Sequence, residues 1–345
     1  MIKDLLLEGF ALKRCGHYKH AIEIFYKALE LDNKSPELLL EIAELFDILG
    51  NEEKSLSYIE QVLNANPTHI RALKLLKKIF VDKKAYLEAE QTAKNIYCIS
   101  KKEEDLADVF QLLNKQRKYD EIFSYNVDCD TPAILFEEAY AYFHQQNFEE
   151  AEKFLHKILI QDEDNQQALL LLGQTYFAQN REEECFKVVD KLKVAENNIE
   201  LLDFIARVEM CRKNYAKAVR LLKQAIRVEH KNAALYFNLA NIYCSQGDLA
   251  MAKKNFSTAI ALKPDCEEYH LAVARVYYSE GNYKKALEEL GGVSFDTRLL
   301  RAVILYKTSY VALAAKELEQ LKVERPENEL VKEYLGKIRR ELLAN

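Results

Sequence analysis

Tryptophan is absent from this 345-residue chain, and glycine (9), proline (5) and methionine (3) are scarce. So little turn punctuation argues against an all-β fold, whose short strands need many Gly- and Pro-rich connections. No run of about 18 apolar residues occurs, so no membrane insertion is expected. The opening stretch MIKDLLLEGFALKR places Asp4 and Glu8 among its apolar residues and has no small-residue cleavage site, which argues against a signal peptide. The seven cysteines (15, 98, 129, 185, 211, 244, 266) are odd in number, scattered and without a CxxC pair. Neither a disulfide framework nor a structural zinc site is expected, and reduced thiols in a cytoplasmic protein fit better. A basic excess is lacking too: the net charge is −6, so nothing draws the chain as a whole to nucleic acid or to an anionic membrane.

What the chain has in quantity is apolar residues (49%) and charge (30%), the mixture of a helical protein with a large core. A short pattern recurs through it: a turn residue, an aromatic or leucine two places on, then alanine three residues after that. It is seen in GHYKHA, GDLAMA and GNYKKA, and in the variants QNFEEA and KNYAKA. Ala218, Ala252 and Ala286 are 34 residues apart, as are Gly247 and Gly281, and Gly16 and Gly50. A fixed period in this range is the signature of a stacked-repeat architecture.

These segments resemble the tetratricopeptide repeat, a 34-residue helix–turn–helix unit. Residues 233–266 carry the pattern most fully, with Tyr236, Leu239, Ala240, Tyr243, Ala252, Phe256, Ala259 and Pro264. Residues 2–35 supply Leu5, Gly9, Leu12, Ala21, Phe25 and Ala28, and residues 36–69 supply Leu39, Ile42, Ala43, Phe46 and Pro67. The register gives ten repeats: 2–35, 36–69, 70–103, 104–131, 132–165, 166–198, 199–232, 233–266, 267–294 and 295–328, followed by a cap helix over 329–344. The third, fourth and tenth are degenerate; Lys77, for example, stands where a small residue is expected. The units ending near VDCD and GGVSF predict a shortened second helix, whereas 132–165, 166–198 and 199–232 read as good units. All five prolines fall at repeat boundaries, and Gly16, Gly50, Gly247 and Gly281 fall in the turns, where a left-handed backbone costs glycine least. The resemblance therefore implies an all-α fold, a right-handed α-α superhelix running as a single solenoid over residues 1–345.

Chemistry finds little support. The seven histidines lie in five different repeats with no HExxH spacing, and no glycine-rich phosphate loop follows a strand. Cys15, His17 and His20 cluster within six residues, but they surround the first turn and lack a fourth ligand. No enzyme activity, cofactor or metal is expected.

The resemblance implies instead a protein or peptide partner held on the first helices, at the second, fifth, ninth, twelfth and thirteenth positions of each repeat. Carried over residue by residue, these give Phe136, Tyr140, Phe143 and His144, then Leu170, Gln174 and Phe177. They continue with Asp203, Arg207, Phe237 and Asn241, then Leu271, Arg275, Tyr278, Leu299, Val303 and Tyr306. In the third repeat they give Arg71, Lys74 and Lys78, a basic row that could hold an acidic segment and that Glu37, Glu44 and Asp47 would partly neutralise. The carboxylate clamp that some family members use for chaperone tails is not matched, because Asn238 has Asp203 and Glu268 where cations would be needed. The expectation is a non-catalytic interaction scaffold binding a segment in its concave groove. The alternative is a structural subunit of a larger assembly, docking by its ends or convex face. Ile2, Leu5 and Leu6 lie at an uncapped end, which leaves homo-oligomerisation open.

Overall fold

The computed structural model describes residues 2–32, 35–125, 129–194 and 197–344. Their secondary structure is helix, turn and coil, with no strand among the described residues. The helices pair as α1 (Ile2–Arg14) with α2 (Tyr18–Leu31), α3 (Pro36–Ile48) with α4 (Glu52–Ala65), α5 (Ile70–Asp82) with α6 (Tyr86–Ser100), and α7 (Glu103–Lys115) with α8 (Tyr119–Ser124). Then come α9 (Pro132–His144) with α10 (Phe148–Gln161), and α11 (Gln166–Ala178) followed by α12 (Glu182–Val189). The remaining pairs are α13 (Ile199–Cys211) with α14 (Tyr215–Val228), α15 (Ala233–Gln246) with α16 (Leu249–Leu262), α17 (Glu267–Ser279) with α18 (Tyr283–Glu289), and α19 (Phe295–Lys307) with α20 (Val311–Glu324). A last helix, α21 (Glu329–Ala344), packs on α19 and α20. The chain divides into two compact units, Met1–Glu184 and Cys185–Asn345.

Local chemistry accounts for the helix boundaries. Pro36 and Pro132 open first helices, where the missing N–H costs nothing; Pro67, Pro264 and Pro326 each come directly after the residue that ends a second helix. Side-chain oxygens of Ser35, Asn51, Asn147, Asn165, Asn198, Asp248 and Asn282 each accept from a backbone N–H in the first helical turn.

Every turn within a pair has the same closure. One residue adopts positive φ, and the N–H after it donates to the carbonyl five residues back, as in His17 to Leu12 and Asp248 to Tyr243. Glycine supplies that residue at Gly16, Gly50, Gly247 and Gly281, with φ between 73° and 80°. The other six turns place Lys84, Arg117, Gln146, Asn180, Lys213 and Ser309 in the left-handed region, with φ between 58° and 67°.

In the first unit, small residues let paired helices approach. Ala21 and Ala151 are fully buried. A Cβ on Gly9 would lie 2.4 Å from the Phe25 ring, so only glycine fits where α1 crosses α2. Ile2, Leu5 and Leu6 are half-buried against Ala21, Phe25 and Ile42, while Leu7 stays exposed. Lys77, out of place by the family pattern, is mostly covered and ion-paired with Asp108 of α7. The degenerate third and fourth repeats lie within this unit, with α6 packed on α7 and α7 directly on α9. The direct α7–α9 contact follows from the expected shortening of α8 to six residues; of the VDCD stretch, residues 127 and 128 lie outside the described residues.

In the second unit Ala252 and Ala286 are likewise fully buried, and α18 is short as expected, at seven residues. Gly291 and Gly292 follow it, and the guanidinium of Arg301 on α19 donates to the carbonyls of Leu290 and Gly292. Helix α12 corrects the reading of 166–198 as a good unit, because it has only eight residues. Arg212, the C-terminal cap of α13, binds the last turn of α12, donating to the Phe186 carbonyl at 2.8 Å and to Asp190 at 2.8 Å.

Candidate functional site

In the first unit, the basic row of α5 is engaged within the fold. Arg71 Nη2 lies 2.5 Å from Glu41 and 2.6 Å from Glu44, Lys78 lies 2.6 Å from Asp47, and Lys74 lies 2.8 Å from Asp105. Lys13 of α1 reaches the same two glutamates at 2.6 and 2.7 Å. The result is a charge ladder across α1, α3, α5 and α7, with Glu41 and Asp105 buried. Burial raises the Asp105 carboxyl, but the hydrogen bonds from Lys74 and Ser100 outweigh it and hold the group below its usual pKa. Neutralisation of this row, which the sequence suggests in part, extends to all three cations.

On α9 the expected residues form an aromatic cluster. His144 is stacked on Tyr119 at 5.9 Å and lies 4.3 Å from Tyr140, and Phe143 packs edge-on against Phe148 at 5.8 Å. Phe136 stands apart, lining a cleft of about 440 Å³ with Gln111, Pro132, Glu137 and Asn165. Leu170, Gln174 and Phe177 form one half-buried stripe on α11.

In the second unit, four expected residues converge. Phe237 and Asn241 of α15 and Leu271 and Arg275 of α17 line one cleft of about 540 Å³. Its apolar side is completed by Leu249 and Phe256 of α16 and Val276. Phe237 is fixed there by stacking on Tyr269 (4.7 Å) and by contact with Phe256 (5.6 Å). Around it stand the polar groups of Asn241, Cys244, Glu268, Arg275 and Ser279. Arg275 is exposed and makes no hydrogen bond or ion pair among the described residues. Burial pushes the Cys244 thiol up, which keeps it protonated and a poor nucleophile. Such a cleft can seat an apolar side chain and bind backbone or carboxylate groups at its rim.

The other expected residues are used for packing. Tyr278 lies against Tyr283 at 5.8 Å with Lys307 over its ring, and Tyr306 packs edge-on against Tyr334 of α21. Leu299 and Val303, read as groove residues, are instead buried between α19 and α21, because the terminal helix needs an apolar seat. Arg207 lies over the Phe204 ring, half-buried beside Asp203. The amide of Asn238 donates to Asp203 at 2.6 Å, so its nitrogen is already occupied. Cys15 and His20 are exposed around the first turn, and no group of three or more potential metal ligands occurs among the described residues.

Cys244, Glu268 and Ser279 were missed although they occupy the twelfth, second and thirteenth positions of their repeats, so the register itself could have found them. Leu249 and Phe256 belong to a second helix and had no such signal.

The tetratricopeptide repeat model matches residues 16–79, 132–208 and 212–276. No curated protein sequence matches the chain. Among solved structures, the chain is similar to one in the APC/C hetero-tetramer Cut9–Hcn1, with 12% identity, 98% of this chain and 76% of that one covered, and a TM-score of 0.59. The human IFIT1 dimer with m7Gppp-AAAA matches with 17% identity, coverage of 90% and 83%, and a TM-score of 0.60. Pseudomonas aeruginosa pilF matches with 20% identity, coverage of 64% and 99%, and a TM-score of 0.50. At these identities the likeness shows the fold. The repeat is in general a non-catalytic scaffold for protein–protein interaction, and no helix among the described residues is long and apolar enough to cross a membrane. With its matched segments spanning more than half of the sequence, the chain belongs to the tetratricopeptide repeat family.

Proposed function

We propose that this protein is a non-catalytic scaffold that captures a segment of a partner protein on the first helices of its repeats, centred on the cleft between α15 and α17. The observation that carries the reading is the convergence of Phe237, Asn241, Leu271 and Arg275 on one cleft with an apolar floor. An apolar partner side chain would rest on Phe237, Leu249 and Leu271. The Asn241 amide would bind the partner backbone, and the free Arg275 guanidinium would take a carboxylate or carbonyl beside it. The Cut9 structure, which was solved with Hcn1, supports a scaffold role by likeness of fold.

Peptides selected from a random display library on the full chain test this. Asn241→Ala, Leu271→Ala and Arg275→Ala should each weaken the selected peptides in fluorescence polarisation, about tenfold where a hot-spot contact is lost. Peptides insensitive to all three changes would remove the cleft from consideration and favour docking by another surface.

A further inference from the structure

A second surface lies on α14. Between residues 210 and 264 the chain carries ten Lys and Arg but only two acidic residues, Glu229 and Asp248, although the whole chain is at −6. Both acids are occupied: Glu229 accepts from Asn232 at 2.8 Å, and Asp248 caps α16. Three of the cations, Arg220, Lys223 and Arg227, form one exposed row on α14 at i, i+3 and i+7. They line an open cleft of about 570 Å³ with Ala216 and Val219.

The row on α5 has identical spacing, and there Arg71, Lys74 and Lys78 are all neutralised by carboxylates on adjacent first helices. On α14 none of the three cations has a hydrogen bond or ion pair among the described residues. Lys217, on the same helix, is bound at 2.7 Å to Glu209, so the local carboxylate is already used. Helices α14, α15 and α16 contain no acidic residue of their own. Like charges one turn apart destabilise a helix, and no hydrogen bond or ion pair among the described residues offsets them here.

We infer that the exposed face of α14 is a docking surface for an acidic segment of another protein, one that presents carboxylates at one-turn spacing to Arg220, Lys223 and Arg227. The row spans about 10 Å of helix axis, two turns, which suits a short segment. The apolar patch of Ala216 and Val219 beside it accepts a small aliphatic side chain. A nucleic acid strand fits less well: the stripe offers no aromatic ring for bases to stack on, and the chain as a whole repels polyanions. This surface is separate from the α15–α17 cleft and stands or falls without it.

The test uses the full chain and three labelled probes: a 16-residue peptide with Glu at one-turn spacing, the same peptide with every Glu replaced by Gln, and single-stranded 20-nucleotide oligoadenylate. The Glu peptide should bind, and the Arg220→Gln, Lys223→Gln, Arg227→Gln triple variant should weaken it about tenfold. Raising salt from 50 to 300 mM should weaken the unmodified protein by a comparable factor, about tenfold. A control triple, Lys19→Gln, Lys284→Gln and Lys316→Gln, removes the same charge at exposed sites elsewhere and should stay within about twofold. Circular dichroism establishes that each variant is folded, and the three single variants replace any triple that is not. The inference is overturned if the α14 triple binds like the unmodified chain, or if the control triple weakens binding equally. It is also overturned if the Gln peptide binds as well as the Glu peptide, or if oligoadenylate is the tighter, α14-dependent ligand.

Discussion

Arg71 on α5 and Glu44 on α3 are joined by two hydrogen bonds, from Nε at 3.1 Å and Nη2 at 2.6 Å, and Lys13 on α1 completes the bridge at 2.7 Å. Three successive repeats are thus linked on one face by two cations and the carboxylates of Glu41 and Glu44. The Glu44 carboxyl is raised by burial, but its bonds to Lys13 and Arg71 more than reverse this and set it below its usual value.

Arg71→Ala should therefore act on stability. With Glu41 buried and left to Lys13 alone, the loss should be about 1 kcal/mol, moderated by the exposure of Arg71. Urea unfolding of Arg71→Ala, Glu44→Gln and the double variant reads the coupling. Additive effects of the two changes would show that the ladder does not join the repeats energetically.

The intra-repeat turns give a second expectation. A Cβ at Gly247 would meet nothing within 4 Å, so replacement there probes backbone conformation without a clash. Gly247→Ala should cost about 1 kcal/mol, and Lys213→Gly, at the same place one repeat earlier, should gain about 0.5 kcal/mol. The gain is smaller because glycine also loosens the unfolded chain. Thermal unfolding of both variants checks this; a gain from Gly247→Ala or a loss from Lys213→Gly would mean that the left-handed turns are not a conformational burden.

A third concerns Glu138 on α9, whose carboxyl burial pushes up to about 7, with Lys157 opposing. The folded chain then holds a proton that the unfolded chain has released between about pH 4.5 and 7, so this group's stabilising contribution is lost as pH rises through that window. Glu138→Gln should raise stability at pH 8 relative to pH 4.5 by about 1 kcal/mol, a value reduced for the partial exposure of the group. A variant with the same pH dependence as the unmodified protein would contradict the shift.

Much of the fold was legible because its signals are local. The boundary prolines, the caps and the glycine turns each act within a few residues, and so successive helices follow one another along the described residues. The short α12 was not legible in this way, and the side chain that binds its last turn, Arg212, comes more than twenty residues later. The site was legible in part: the register placed Phe237, Asn241, Leu271 and Arg275 on one face, while Leu249 and Phe256 belong to a helix that the groove positions do not include.

By itself, then, the sequence determined the repeat, its period and the chain's membership of an all-α family, because one helical pair needs the next to bury its apolar face. Only the tertiary structure decided which charges are spent. Arg71, Lys74 and Lys78 read the same as Arg220, Lys223 and Arg227, yet the first row meets carboxylates on neighbouring helices and the second meets none among the described residues. Spacing along a helix sets which side chains share a face, but their partners come from repeats about thirty residues away.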